Sequence, residues 1–359
     1  MQIVDWKDSK TWDEFVICAK DGTAAHLFGW REVFEKSYGL QSSWLAAVDN
    51  GKLKGVLPLG IIKGFIVGTQ MVSMPFLDYG GVCVDGDLDV GEELVKEAMR
   101  LSRQHKSRLL IRSLDRSAEA LSCSLHKVTM WLPLAATEEA MLRQLPSDRR
   151  NRLKKGLRHG LSSTLHGADG VDEFYGVWSL NMRDLGSPPH SREFFRFILE
   201  TMGDEARILI VRDKGDAIAG AVMLQFRKML SIPWVSSLRT HFSKSPNQVL
   251  YWEAMRFAIS NGCSHLDFGR STKGSGSYEA KRQWGAEPHQ LYLCSDREGC
   301  EIPGDEIDRY RWATTVWKHL PMPIANRVGP WLRRRHIAND RPRSSASVSA
   351  VMPLISASP

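Results

Sequence analysis

The chain has six cysteines, Cys18, Cys83, Cys123, Cys263, Cys294 and Cys300, but no CxxC pair, and its eleven histidines include no HExxH spacing. Without a zinc-ribbon or metalloprotease signature, neither a structural metal nor a disulfide framework is expected. Long apolar runs are also missing. Residues 55–65 come nearest, yet Pro58, Gly60, Lys63 and Gly64 interrupt them, well short of the roughly 20 apolar residues a membrane span requires. The opening residues Asp5, Trp6, Lys7 and Asp8 do not give the basic segment and apolar core of a signal peptide, so a cytoplasmic location is expected. Compositional bias is absent too: 43% hydrophobic and 25% charged residues are ordinary globular values, which excludes fibrous or wholly disordered chains.

At 359 residues the chain exceeds what one core usually serves, and two domains plus a tail are expected. The net charge of +7 is modest, and its distribution says more than its total. No DNA partner is expected. Residues 44–48 form an apolar run, Asp49-Asn50-Gly51-Lys52 a hairpin turn, and residues 53–62 a returning strand. A helix over 91–104 then feeds a strand at 108–112. The same order recurs about 160 residues later: a strand at 207–211, a turn at 212–216, strands at 217–226 and 229–238, a helix, and the strand opening His265-Leu266-Asp267-Phe268. Gly55 and Gly220 fall shortly after the two corresponding turns.

The second helix carries full boundary signals, with Ser245 as N-cap, Pro246 at the first position, Gln248 completing a capping box and Asn261-Gly262 ending it. Between the halves, residues 137–161 predict a helix broken near Pro146 and restarted at Ser147-Asp148. Its apolar stripe is Leu153, Leu157 and Leu161, and Arg143, Arg149, Arg150, Arg152, Lys154, Lys155, Arg158 and His159 cover much of the rest. That many cations at i, i+4 spacing repel, so either a solvated face or a phosphorylated or nucleic-acid substrate is implied. From Asn326 onward the chain reads as a basic, disordered tail, whose arginines, with Trp317 and Trp331, could touch an anionic membrane.

Residues 265–285 read as a strand followed by a loop dense in glycine and hydrogen-bonding side chains. Gly269, Gly274 and Gly276 let backbone amides approach a ligand oxygen, while Arg270, Lys273 and Lys281 offer charge for phosphate or carboxylate. Gly274 is followed by Ser275, so this is not a Walker loop. Five pieces together resemble the FemAB-like acyltransferases, duplicated relatives of the GNAT fold, and especially the FemAB-related proteins found with bacterial exopolysaccharide and protein-sorting systems. They are Ser245-Pro246-Asn247, Leu250-Tyr251-Trp252, Asp267-Phe268-Gly269-Arg270-Ser271, Gly274-Ser275-Gly276 and Lys281-Arg282-Gln283-Trp284-Gly285. The stretch from Arg149 to Lys155 is similar to the family's linker helix, and Asp78-Tyr79-Gly80-Gly81 to its first-domain loop. Two departures stand out: Ala280 replaces an aromatic residue usual before the lysine, and a helical coiled-coil insertion of some members is absent, and with it goes one argument for tRNA use.

The resemblance implies an α/β fold of two tandem GNAT-like domains with mixed sheets flanked by helices, and substrate held in a cleft between them. The domains are expected at residues 1–135 and 136–325, with a linker helix at 147–161 and the tail at 326–359. It also implies transfer of an acyl or aminoacyl group to an amine or hydroxyl of a cell-envelope or exopolysaccharide precursor, either a small molecule or a lipid-linked glycan. The donor would be a substrate, aminoacyl-tRNA or acyl-CoA, with no resident cofactor or metal. Asp267, Lys281 and Tyr278 are the expected catalytic residues. Arg270, Ser271, Gly274, Gly276, Asn247, Tyr251, Asp78, Tyr79, Arg149 and Arg152 are expected to bind substrate. Two alternatives stay open: an acyl-CoA-dependent GNAT-type N-acetyltransferase, and a catalytically silent protein binding an anionic glycan or lipid precursor. Work at the inner face of the membrane, with peripheral contact, fits the first reading.

Overall fold

The computed structural model describes residues 1–64, 68–116, 120–296 and 311–334. They form two compact units, the first from residues 1–127, 290–296 and 331–334, the second from residues 128–289 and 311–330.

The first unit opens with β1 (Gln2–Asp5), α1 (Ser9–Cys18) and α2 (Gly29–Tyr38). Asp8 caps α1, its carboxylate accepting from the Lys10 and Thr11 amides at 3.3 and 3.2 Å, as an N-cap should. β2 (Gln41–Asp49) and β3 (Lys52–Gly64) make a hairpin whose turn residues Asn50 and Gly51 both have positive φ, 48° and 74°, the geometry that matches strand twist. β4 (Gly68–Ser73), β5 (Cys83–Val84), α3 (Leu88–Gln104), β6 (Arg108–Ser113) and β7 (Ser122–Ser124) follow. The chain crosses through α3 so that β6 runs parallel to β4, and Leu94, Val95 and Ala98 of α3 pack on Leu57, Leu109 and Ile111 of the sheet.

The second unit repeats this plan. It comprises β8 (Lys127–Pro133), α4 (Glu138–Gln144), α5 (Ser147–Arg158), β9 (Ser162–His166), α6 (Val171–Leu185), α7 (Arg192–Met202), β10 (Ala206–Asp213), β11 (Asp216–Phe226), β12 (Met229–Ser237), α8 (Pro246–Ser260), β13 (His265–Thr272), α9 (Gly276–Arg282) and β14 (Glu287–Gln290). The β10–β11 turn again has two positive φ angles, Lys214 at 53° and Gly215 at 98°. A register shift precedes each turn, between Ala47 and Val48 in one unit and between Val211 and Arg212 in the other. At these shifts Ala47 pairs with Gly55 and Val211 with Ala219, so Gly55 corresponds to Ala219, and Gly220 is the next residue along. The strand order is β14-β8-β13-β12-β11-β10-β9. After it, β15 (Tyr292–Ser295) returns to the first unit and pairs with both β6 and β7. α10 (Arg311–Lys318) and α11 (Met322–Arg334) complete the described chain.

Several expectations are corrected. The units divide at residue 127/128, ahead of the expected 135/136, because β8 joins the second sheet and β15 rejoins the first. The region from Asn326 to Arg334 is helix, not disordered tail; residues 335–359 lie outside the described residues. Cys123 and Cys294 form a disulfide across β7 and β15, brought together by strand pairing over a sequence separation of 171, which no spacing rule detects. Leu157 is 48% exposed, because α5 turns Arg149, Leu153 and Gly156 inward instead. A Cβ on Gly156 would sit 2.6 Å from Val249 Cγ2, so the α5–α8 contact requires glycine there. The capping box of α8 does not form. Ser245 is left-handed, with φ 61°, and makes no side-chain capping bond; its carbonyl instead accepts from Gln248 and Val249 amides at 3.2 and 3.5 Å. Among the described residues, no helix is long and apolar enough to cross a membrane.

Candidate active site

β12 and β13 run parallel, but their ladder has only three pairs: Met229↔His265, Leu230↔Leu266 and Ser231↔Asp267. Both strands continue, to Ser237 and Thr272, without pairing to each other. Pro233, two residues beyond the last pair, has no N–H to give a ladder, and the β11 register shifts at the same level, between Val222 and Leu224. β12 stays bound to β11 through Trp234↔Val222, Val235↔Ala221, Ser236↔Gly220 and Ser237↔Ala219. Its other edge, together with the end of β13, therefore frames an opening in the sheet.

Side chains alternate along β13. Leu266 and Phe268 join Leu250 and Ala254 of α8 in the core. Asp267 points to the opposite face and is only 2% exposed. Its Oδ1 accepts from the Thr129 hydroxyl of β8 at 2.5 Å and the Gly269 amide at 2.8 Å. Asp267 is the third of eight residues in β13, because residues 268–272 continue as strand. On β8, Trp131 stacks on His289 with centroids 4.0 Å apart and meets His265 edge-on at 6.4 Å. Burial holds the His289 pKa below the ordinary imidazole value, although the Glu287 and Asp267 carboxylates pull it upward.

Beyond β13 the expected loop is short, because α9 begins at Gly276. Ser275 caps it by accepting from the Tyr278 amide at 3.3 Å, which sets the half-buried Tyr278 on the helix's first turn. Lys281, five residues on from the helix start, turns back, and its ammonium donates to the Gly269 and Arg270 carbonyls at 2.9 and 3.0 Å. The lysine thus clamps α9 to the end of β13. Gly269 is left-handed, with φ 75°, and Gly274, with φ 72°, has open space around it. Ser271 is buried and accepts from the Ser277 hydroxyl at 3.2 Å.

A second group gathers at the start of α8. Asn247 accepts from the Ser237 hydroxyl. Tyr251 meets Phe268 and Trp284 edge-on at 5.0 and 5.7 Å, and burial pushes its phenol up to about 12, which keeps it protonated. Arg149, 3% exposed, lies 5.8 Å over the Trp284 ring and donates to Gln283. Burial depresses its guanidinium pKa, with the Asp148 carboxylate 3.4 Å away pulling the other way. One of its terminal nitrogens, Nη1, is buried without a protein hydrogen-bond partner among the described residues. Arg152 is different: it pairs with Asp148 at 3.0 Å one turn along.

Asp78 and Tyr79 stand in the first unit, in the connection after β4. That connection is fixed by the Gly80 amide, which donates to the Arg112 carbonyl at 3.1 Å, and by His26, whose Nε2 donates to the Gly81 carbonyl at 3.1 Å. In the second unit the fold draws Arg270, Ser271, Gly274, Gly276, Tyr278 and Lys281 together around the end of β13, and Asn247, Tyr251 and Arg149 around α8. Thr129 and Ser237 carry two of the defining hydrogen bonds, and sequence reasoning missed both, because each lies in an ordinary strand with no motif. Gln283 stood inside a recognised motif and could have been found there.

Residues 147–282 match the family model of the acetyltransferase (GNAT) domain. No curated protein is similar enough in sequence to count as a relative. Among solved structures, FemX superposes with a TM-score of 0.64 at 13% identity, covering 87% of this chain and 100% of that one. The C-terminal domain of a lysylphosphatidylglycerol synthetase from Agrobacterium fabrum gives 0.57 at 13% identity, covering 86% and 96%. A tandem GNAT protein from the clavulanic acid biosynthesis pathway gives 0.55 at 12% identity, covering 82% and 97%. With its repeated three-strand meander, crossover helix and parallel strand, the chain has a tandem GNAT fold, and residues 147–282 of its second unit are the part that matches the GNAT domain.

Proposed function

We propose that the second unit transfers an acyl or aminoacyl group to an amine or hydroxyl of a cell-envelope or exopolysaccharide precursor. The observation that carries this reading is the opening between β12 and β13, where two strand edges face each other after Ser231↔Asp267. A substrate segment bearing hydrogen-bond donors and acceptors can lie there, bonded to the main-chain groups of the two strand edges. The acceptor nitrogen or oxygen attacks the donor carbonyl, a C–N or C–O bond forms, and the carbonyl electrons collect on oxygen. Collapse expels the donor's thiol or hydroxyl, which leaves with a proton, while the acceptor gives up its own.

Arg149 and Arg270 supply the positive charge expected for a substrate phosphate, and the unmatched Nη1 of Arg149 supports that role. Lys281 positions Gly269 and Arg270 through their carbonyls, and Asp267 fixes the same turn from the other side. The start of α8 favours a donor other than acyl-CoA. Pro246 has no N–H, and the Gln248 amide is spent on Ser245, leaving Asn247 as the one first-turn amide for a pyrophosphate. An aminoacyl-tRNA donor fits this better, and the structures of FemX and the lysylphosphatidylglycerol synthetase domain make a cell-envelope acceptor the first class to try.

The test is incubation of the purified chain with charged tRNA or acyl-CoA and amino-sugar or lipid-linked acceptors, read by mass spectrometry. The reading expects a mass shift on an acceptor, reduced about 10- to 100-fold by Lys281→Ala through lost positioning. Donor binding with no product under any combination would instead establish the silent binding protein.

A further inference from the structure

α11 turns its small residues inward and its large apolar ones outward. Ala325 and Gly329 are buried, and a Cβ on Gly329 would lie 2.4 Å from Pro189 Cδ, so this side of the helix is in close contact. On the other side Ile324, Val328 and Trp331 are 47%, 37% and 50% exposed. At the α-helical angular step these three positions span an arc of only about 60°, and Arg327 and Arg334, both exposed, border it. A helix held to its own protein by an amphipathic face buries such residues; here the apolar stripe faces away. Most other exposed large apolar side chains are scattered through the chain, as is normal.

The sequence around this stripe is basic, between Asp308 and Asp340. Residues 309–339 contain seven arginines and lysines and no aspartate or glutamate, and three of the chain's twelve tryptophans fall there, Trp312, Trp317 and Trp331. A protein groove would suit the apolar residues alone. The combination of tryptophan with a run of arginines suits a lipid surface, where the indole sits at the headgroup level and guanidinium groups reach phosphate. We propose that α11 docks on an anionic lipid bilayer, with Ile324, Val328 and Trp331 entering the headgroup–acyl boundary and Arg327 and Arg334 pairing with lipid phosphates. Three inserted side chains on a helix of 13 residues make this contact reversible and dependent on lipid charge. The proposal is independent of the acyl-transfer reading.

The experiment is cosedimentation of the full chain with vesicles of phosphatidylcholine alone or with about 30% phosphatidylglycerol, where each basic residue at the surface adds binding. The wild type should sediment with the anionic vesicles, weaken as salt rises, and stay in solution with the neutral ones. I324Q/V328Q/W331Q should lose at least about tenfold in partitioning, and each of Arg327→Gln and Arg334→Gln about fivefold. Near-UV circular dichroism establishes that the variants are folded, and the salt and arginine series stand if the triple variant is not. Equal sedimentation of wild type and variants, equal binding to neutral vesicles, or no wild-type binding would overturn the proposal. So would a wild-type dimer that becomes monomeric in the triple variant and ignores vesicles, because a second copy would then cover the face.

Discussion

Asp267 shows what a buried carboxylate demands of its surroundings. At 2% exposure it has lost hydration, and hydrogen bonds from Thr129 and Gly269 replace part of it. Thr129→Val keeps the shape and removes one donor, so it should cost about 1.5–3 kcal/mol, the range for a hydrogen bond to a charged group. Thr129→Ser restores the hydroxyl and should recover most of that loss, apart from the missing methyl. Urea unfolding of the two variants checks this; equal destabilisation would mean that packing, not the hydrogen bond, holds the site. At this scale the sequence exposed Asp267 and not its partner on β8. Asp267, Lys281 and Arg149 stand in recognisable motifs, whereas Thr129 lies 138 residues from Asp267 in an unmarked strand. The role of Lys281 was also out of reach, because a motif lysine looks the same whether its ammonium meets a ligand or two backbone carbonyls.

Elements whose signals are local were the most legible. The hairpin turns Asn50-Gly51 and Lys214-Gly215, the α3 helix and the break at Pro146 all follow from short-range chemistry. The elements misread are those set by a neighbour. α5 offered a leucine stripe, but α8 selects the face bearing Gly156, and Ser245 adopts a left-handed conformation that its capping-box sequence does not suggest. Two glycine-to-alanine changes separate these effects by sign. Gly156→Ala puts a methyl 2.6 Å from Val249 Cγ2 and within 3.3 Å of the Lys244 carbonyl oxygen, against a stiff side chain and a fixed backbone. It should destabilise by about 1–3 kcal/mol. Gly176→Ala, in α6 with no neighbouring atom within 4 Å, should stabilise by about 0.5–1 kcal/mol through helix propensity alone. Denaturation midpoints moving in opposite directions are the expected result; a neutral Gly156→Ala would mean that α5 rides loosely on α8.

Over the whole molecule, the repeat was visible because each unit spells out the same meander, crossover and parallel strand. The exchange of strands was not. β8 follows the first unit in sequence and pairs in the second sheet, while β15 follows the second and pairs in the first, and pairing partners that distant leave no periodicity to read. The Cys123–Cys294 disulfide depends on that return, since the two thiols meet only when β15 lies beside β7. Closing a loop with a sequence separation of 171 restricts the unfolded chain strongly, a contribution of up to about 5 kcal/mol on the chain-entropy account. Oxidised wild-type protein should therefore unfold at clearly higher denaturant than Cys123→Ser, and excess thiol reductant should bring the wild type down to the variant's midpoint while leaving the variant unchanged. The oxidised chain should also run faster than the variant on a non-reducing gel, because the cross-link keeps the denatured chain compact. A midpoint insensitive to reductant would mean that pairing of β15 with β6 holds the strand without the cross-link.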